Sequence, residues 1–157
     1  MFERILVCLD GSELAEQILP YAVEQAQRCG SRLVLLRVVS SSKTVAAAGS
    51  GPPSHATEIG DEQAMKAESE ATKVYLQSVT QSLQQRGLNV EWLMLQGAAG
   101  DVIVTCAVNN NIDLIAIATH GRSGLKRAVF GSVADYVLRE SGLPILLIKP
   151  QEVKTQS

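Results

Sequence analysis

The chain has few aromatic residues and no marked excess of either charge. Aromatic side chains make up 4% of its 157 residues, which leaves few platforms on which the bases of single-stranded nucleic acid can stack. The net charge is −2, so the chain lacks the basic surface that general binding to nucleic acid or to a membrane surface requires. We therefore expect neither a nucleic-acid partner nor a membrane partner.

The three cysteines, Cys8, Cys29 and Cys106, form no metal-binding pattern. Without a C-x-x-C pair or a Cys/His cluster, a structural zinc site is not expected. Each lies in an apolar strand-like or helix-like segment, so we expect free, buried thiols in a reducing cytoplasm. The first residues lack the basic and apolar regions of a signal peptide. No run approaches the roughly 18 apolar residues that a membrane span requires.

Length and composition predict one globular domain, since 46% of the residues are hydrophobic and 19% are charged. We assign this domain to residues 1–150 and a polar tail to residues 151–157. Residues 40–60 show no periodicity and contain polar clusters rich in Ser, Gly and Pro. Such a segment predicts a flexible loop, which is either a disordered surface loop or a lid over a ligand.

Short apolar segments alternate with segments of helical spacing. Most of the apolar segments are continuous runs of Val, Ile and Leu, which is typical of strands covered on both faces of a parallel sheet. The alternation predicts right-handed β-α-β units and an open α/β sheet with helices on both faces. The predicted strands are Arg4–Leu9, Arg32–Val39, Val90–Leu95, Asp113–Ala118 and Pro144–Ile148. The predicted helices are 13–29, about 61–86, about 99–110, and a fourth that begins at Ser132. Asp135, three residues after Ser132, is the expected capping-box partner.

A glycine-rich stretch joins the fourth predicted strand to the last helix. It reads Ala118-Thr-His-Gly-Arg-Ser-Gly-Leu-Lys-Arg-Ala-Val-Phe-Gly-Ser132, with three basic residues and no acid between Asp113 and Asp135. A glycine-rich loop before a helix lets backbone N–H groups converge on a phosphate. The composition therefore predicts an anion site, with a nucleotide phosphate as the expected anion.

The spacing of this loop resembles that of the universal stress protein family, Gly-x2-Gly-x9-Gly-Ser/Thr. Gly121 followed by nine residues and Gly131-Ser132 matches the last two parts, whereas Ala118 stands in place of the first glycine. The opening segment Ile5–Ser12 and the closing segment Pro144–Ile148 also resemble the family. The resemblance implies a Rossmann-like five-stranded parallel sheet of order 3-2-1-4-5, in which ligands bind at the carboxyl ends of strands 1 and 4.

The resemblance also implies an adenine nucleotide, ATP or AMP, with Mg²⁺ or Mn²⁺ held through its phosphates. Asp10 ends the first strand, where a carboxylate accepts hydrogen bonds from a ribose hydroxyl or holds a divalent cation; the alternative is a simple turn into a capped helix. The implied contacts are Cys8 and Leu9 at the adenine or ribose, Val38 in the adenine pocket, and Ala118, His120, Gly121, Arg122, Gly124, Gly131, Ser132 and Val133 around the phosphates. For His120 and Arg122 a solvated surface position is an equal alternative, and the Ser132 hydroxyl either caps its helix or contacts phosphate.

The function implied is a nucleotide-binding role in a stress response, with slow or no hydrolysis because the loop offers donors but no base that activates water. Ala118 predicts weaker binding than in relatives with glycine. The alternative is a protein-interaction module of the same fold that has lost nucleotide binding. In both cases we expect a homodimer through Pro144–Ile148, an edge strand that needs covering. An adenylating enzyme and a cyclic nucleotide are the further alternatives.

Overall fold

The computed structural model describes residues 1–40, 55–119 and 131–151, and of residues 55–61 only the backbone. The described strands form a five-stranded sheet in which every pairing is parallel. Their order is β3-β2-β1-β4-β5, which confirms the predicted order and places β3 and β5 at the edges. The strands are β1 (Arg4–Cys8), β2 (Arg32–Val39), β3 (Val90–Gln96), β4 (Leu114–Ala118) and β5 (Ile145–Ile148).

Helices cover both faces of this sheet. Because successive side chains of a strand point to opposite faces, the apolar runs supply two separate core clusters. One contains Val7 and Leu35 and packs against α2 and α3, and the other contains Leu6 and Leu36 and packs against α4 and α5. The helices are α1 (Glu13–Glu16), α2 (Leu19–Cys29), α3 (His55–Gln85), α4 (Ala99–Asn109) and α5 (Ser132–Glu140). The predicted α/β fold with helices on both faces is confirmed.

The first predicted helix is two helices in the structure. Ser12 caps α1 as expected, since its Oγ accepts a hydrogen bond from the Ala15 N–H at 3.1 Å. The helix is then interrupted at Gln17 and Ile18 before α2 begins. Pro20, in the first turn of α2, explains the break, because proline has no N–H to donate and its ring clashes with the carbonyl four residues earlier.

The second predicted helix, α3, begins at His55 and not near Asp61. Its 31 residues span about 46 Å. Extending an existing helix adds one hydrogen bond per residue, so α3 continues toward its N-terminus through a segment without apolar spacing. Neither α3 nor any other helix in the described ranges carries an apolar stretch suited to crossing a bilayer.

The capping box predicted at the start of α5 is wrong. The N-cap is Gly131, which has no capping side chain, and Ser132 is the first helical residue. Gly131 has φ 76° and ψ 148°, a conformation open essentially to glycine alone. The turn into the helix is therefore completed one residue earlier than predicted, and the Asp135 side chain pairs with Arg139 within the helix.

All three cysteines are free, but the prediction of burial is wrong for one of them. Cys8 and Cys106 are buried, whereas Cys29 is exposed. Cys29 is the last residue of α2, before the left-handed C-cap Gly30, and it lies beyond the part of the helix that packs on the sheet. The Gln25 amide donates a hydrogen bond to its sulfur at 3.2 Å.

This difference in burial predicts selective thiol labelling. Burial first, and then the neighbouring Cys106, raises the pKa of the Cys8 thiol above its usual range, and burial also raises the pKa of Cys106. Because the thiolate is the nucleophile, iodoacetamide at pH 8 should modify Cys29 alone in the folded protein. Peptide mass spectrometry would check this, with protein unfolded in urea as the control in which all three react. Modification of Cys8 in the folded protein would contradict the burial described.

Candidate functional site

The carboxyl ends of β1 and β4 lie side by side at the centre of the sheet. Val7 pairs with Ala116, and the same register, continued by two residues, places Leu9 beside Ala118. From β1 the chain goes to β2 on one side, while β4 lies on the other. Such a reversal of winding leaves a crevice outside the carboxyl ends, where open α/β sheets bind ligands. The predicted meeting of these two strand ends is therefore present.

Two of the predicted adenine contacts share one face at this edge. Cys8 is buried, Val38 is half-buried, and both belong to the cluster packed against α4 and α5. The Leu9 side chain lies on the opposite face, in the cluster against α2 and α3. A ligand on the α4–α5 side of the edge can contact the first two side chains, whereas Leu9 offers that ligand only its backbone.

Asp10 follows β1 and forms a tight turn with Ser12. Its Oδ1 accepts the Ser12 N–H at 2.8 Å and the Ser12 hydroxyl at 2.6 Å. Ser12 in turn caps α1 through its contact with Ala15. The turn proposed as the alternative role for Asp10 is thus present, but the Asp10 residue is also exposed at the sheet edge. The turn orients the carboxylate, so the two roles are compatible.

Gly11, between Asp10 and Ser12, is in close contact with Arg37, a residue that was not predicted from the sequence to be part of the site. Its φ is +82°, and a Cβ at this position would lie 2.3 Å from one guanidinium nitrogen of Arg37. The Arg37 guanidinium also lies over the ring of Tyr75, 5.9 Å from its centroid. Arg37 is the only charged residue in the interior of β2, and a charge at that point of an apolar strand was the signal available in the sequence.

The contact with Arg37 predicts a difference between two otherwise similar glycine substitutions. Gly11 has φ +82° and Gly87 has φ +83°, but nothing lies within 4 Å of a Cβ built on Gly87. Both substitutions by alanine therefore carry the same backbone strain, of about 1–2 kcal/mol. Gly11→Ala should cost about 0.5–1 kcal/mol more, since it displaces Arg37 from the Tyr75 ring. Urea unfolding measures both values, and equal losses would contradict the contact.

Ala118, the departure from the family's glycine pattern, is unstrained. It is the last residue of β4 and pairs with Ile148. Asn111 is the one non-glycine residue with positive φ in the described ranges. The Ala118 methyl group packs in the cluster against α2 and α3, on the face opposite Cys8 and Val38. The backbone strain that would disfavour alanine here is therefore absent.

The N-terminus of α5 offers backbone donors on the side of the sheet where the strands end, because α5 connects the parallel strands β4 and β5. The first backbone bond in the helix runs from the Asp135 N–H to the Gly131 carbonyl at 3.0 Å, so the N–H groups of the first turn have no acceptor within the helix. Ser132 is exposed and Val133 is half-buried. With the helix dipole equivalent to about half a positive charge at this end, the first turn is suited to an anion.

The remaining predicted phosphate contacts cannot be placed in this geometry. His120, Gly121, Arg122 and Gly124 lie outside the described residues. Within the described ranges, no three side chains of His, Cys, Asp or Glu gather in a way suited to a metal ion.

Two open grooves lie along α3, away from β4 and α5. The larger, of about 670 Å³, runs between α3 and the edge strand β3 and is lined mainly by polar side chains such as Gln77, Gln81 and Glu91. The other, of about 390 Å³, lies where β2 and β3 end and includes Met65 and Met94. Neither is at the winding reversal of the sheet, so they are separate from the crevice at Asp10.

A parallel sheet of order 3-2-1-4-5, with a turn carboxylate and a helix N-terminus at its winding reversal, defines a Rossmann-like α/β protein. Residues 1–149 match the model of the universal stress protein family, and the chain belongs to this family. Among curated relatives, it is 30% identical to Universal stress protein Sll1388 from Synechocystis sp. over 155 residues, covering 94% of this chain and 98% of that protein.

Solved structures share the fold. The hypothetical protein MJ0577 from Methanocaldococcus jannaschii superposes with a TM-score of 0.80 at 24% identity, over 97% of this chain and 99% of that one. A universal stress protein in complex with cAMP gives a TM-score of 0.68 at 17% identity, over 94% and 97% of the two chains. The universal stress protein from Archaeoglobus fulgidus in complex with dAMP gives 0.62 at 22% identity, over 94% and 98%.

Proposed function

We propose that the protein binds an adenine nucleotide, ATP or AMP, as a ligand in a stress-response role, with slow or no hydrolysis. The observation that carries this proposal is the winding reversal of the sheet, where the Asp10 turn follows β1 and α5 connects β4 to the parallel strand β5. Because a helix between two parallel strands begins on the side where the first strand ends, the backbone donors of α5 would share this edge of the sheet with the Asp10 carboxylate. Structural neighbours in complex with cAMP and with dAMP support an adenine nucleotide as the ligand class.

Each part of the nucleotide has residues suited to it. Cys8 and Val38 supply an apolar wall for the adenine, and Asp10 accepts hydrogen bonds from the ribose hydroxyls. The phosphates lie at the N–H groups of the α5 first turn, with the Ser132 hydroxyl in reach. We assign His120, Gly121, Arg122 and Gly124 to the same phosphate cradle on the spacing of the loop. Mg²⁺ or Mn²⁺, held through the phosphates, would neutralise part of their charge.

Calorimetric titration with ATP, AMP and cAMP tests the proposal. Asp10→Asn should weaken binding by roughly tenfold to a hundredfold, the range expected for losing a hydrogen bond to a charged group. The matched control is Glu13→Gln, an exposed acid three residues further along, which should leave the affinity unchanged. Absence of binding to the natural sequence, together with no nucleotide released on denaturing freshly purified protein, would rule the proposal out.

The edge strand β5 favours a second candidate function, a dimeric interaction module that does not depend on nucleotide. All four residues of β5 are apolar and only half-buried, and an unpaired apolar edge is a template for another strand. We propose a cytoplasmic homodimer in which two copies of β5 cover each other. Light scattering should give twice the 16.8 kDa chain mass. A dimer without nucleotide binding would favour this candidate over the first, and a monomer would exclude the β5 pairing.

A further inference from the structure

We propose that Arg37 is a positioning residue of the nucleotide site, which holds the Asp10–Ser12 turn from behind through contact with Gly11. The ligand-related part rests on the proposed nucleotide binding, whereas the holding of the turn does not. Arg37 lies in β2, where its neighbours two and four residues earlier, Leu35 and Leu33, lie in the cluster against α2 and α3, and Val38 lies on the opposite face. Arg37 therefore points away from the face that carries Cys8 and Val38.

The guanidinium of Arg37 lies near both an aromatic ring and bare backbone. It lies over the Tyr75 ring, 5.9 Å from the centroid. The Cβ that Gly11 lacks would lie 2.3 Å from one guanidinium nitrogen, 3.0 Å from Cζ and 3.4 Å from the second nitrogen. A planar guanidinium can stack in such a space. The φ of +82° favours glycine at position 11, and a side chain there would have to displace the guanidinium.

The charged groups that affect the pKa of Tyr75 include Arg37 and the Asp10 carboxylate of the turn. Burial raises the pKa of Tyr75 first, and the Glu16 carboxylate raises it further. The Arg37 guanidinium lowers this pKa and the Asp10 carboxylate raises it. The Tyr75 hydroxyl itself is buried, with no hydrogen bond of normal geometry to the described residues. The Arg37 cation and the Glu16 and Asp10 carboxylates therefore all act on the Tyr75 phenol.

The consequence is an indirect role in ligand binding. Asp10 is fixed by its own bonds to Ser12, and Gly11, between them, rests on the guanidinium. Removing the guanidinium takes away the support behind the turn, so the Asp10 carboxylate loses its fixed orientation. The loss should affect ribose binding and leave the phosphate contacts intact.

Amide hydrogen exchange in the ligand-free protein tests the holding of the turn. The Ser12 N–H, which donates to Asp10, should exchange at least fivefold faster in Arg37→Met, while the amides of β1 keep their rates. The control is Arg32→Met, at an exposed arginine that begins the same strand. This variant should change neither the Ser12 exchange rate nor the rates of the β1 amides. An unchanged Ser12 rate in Arg37→Met, or equal acceleration throughout β1, would overturn the proposal.

Titrations with adenosine and with ATP test the indirect role. Arg37→Met should weaken both ligands by the same factor, about five- to tenfold, and should have no further effect in an Asp10→Asn background. Weakening of ATP alone would mean a direct phosphate contact, which overturns the positioning role. If the natural sequence binds neither ligand, the proposed function fails, and the Ser12 exchange rate still decides whether Arg37 holds the turn.

Discussion

Gly131→Ala is expected to lower the affinity for ATP by at least tenfold. Gly131 precedes α5 with φ 76° and ψ 148°, a region in which a residue with a side chain is strained by about 1–3 kcal/mol. An alanine relaxes this strain in the free protein by rotating the backbone, which turns the first N–H groups of α5 away from the proposed phosphate position. Binding must then restore the strained conformation, and about 1.4 kcal/mol of that cost corresponds to a tenfold loss of affinity.

The control for this substitution is at the other end of the same helix. Gly142 also has a positive φ, +63°, with nothing within 4 Å of a built Cβ. Gly142→Ala should destabilise the protein without changing ATP affinity, because this glycine follows the C-terminal end of α5. Calorimetric titration of both variants separates strain in general from strain at the phosphate end. Equal affinity in the two variants would contradict the assignment of Gly131 to the site.

Ile115→Ala is expected to lower the free energy of unfolding by about 2–5 kcal/mol, the largest loss of stability predicted here. Ile115 is completely buried in β4, between β1 and β5 in the sheet, where the neighbouring strands and helices cannot close the cavity left behind. The comparison is Leu138→Ala on α5, since Leu138 is 51% exposed. Urea unfolding should show a large fall in midpoint for the first variant and a small one for the second. A loss below about 1 kcal/mol for Ile115→Ala would contradict a tightly packed centre.

The strands were predictable because a strand buried on both faces is a continuous apolar run. β2 has the predicted bounds, Arg32–Val39, and the other four differ by one residue at a single end. The order of the strands could not be predicted in this way. The alternation of strands and helices indicates β-α-β units, but which strands are neighbours depends on contacts between residues far apart in the chain. The order came from the family resemblance and is confirmed by the pairing of β1 with β2 and β4.

The errors fall where backbone conformation or long-range packing overrides apolar spacing. Pro20 was visible in the sequence and should have divided the first helix, since proline excludes the bond to Glu16. The φ of Gly131 is a property of the backbone that apolar spacing does not report. The exposure of Cys29 reflects how far α2 extends beyond the sheet. The contact of Arg37 with Tyr75 was not predictable, because α3 brings Tyr75 to it from 38 positions away in the sequence.

Among the proposed site residues, the structure brings together those carried by regular elements. The ends of β1, β2 and β4 place Cys8, Asp10 and Val38 at one edge, because parallel strands end together. The phosphate contacts proposed for the glycine-rich loop would depend on backbone conformation, which apolar spacing does not determine. Their assignment rests on the match of Gly121 and Gly131-Ser132 to the family spacing.

An NMR titration of ¹⁵N-labelled protein with ATP and Mg²⁺ tests most directly whether the ends of β1 and β4 form one nucleotide site. We expect saturable shifts of the Ser12 and Ala118 amides together with those of Ser132 and Val133, with one nucleotide bound per chain. The signals of amides beside the α3 grooves, such as those of Gln81 and Met65, should not shift. No saturable shifts, or shifts confined to the α3 grooves, would rule out a nucleotide site at these strand ends.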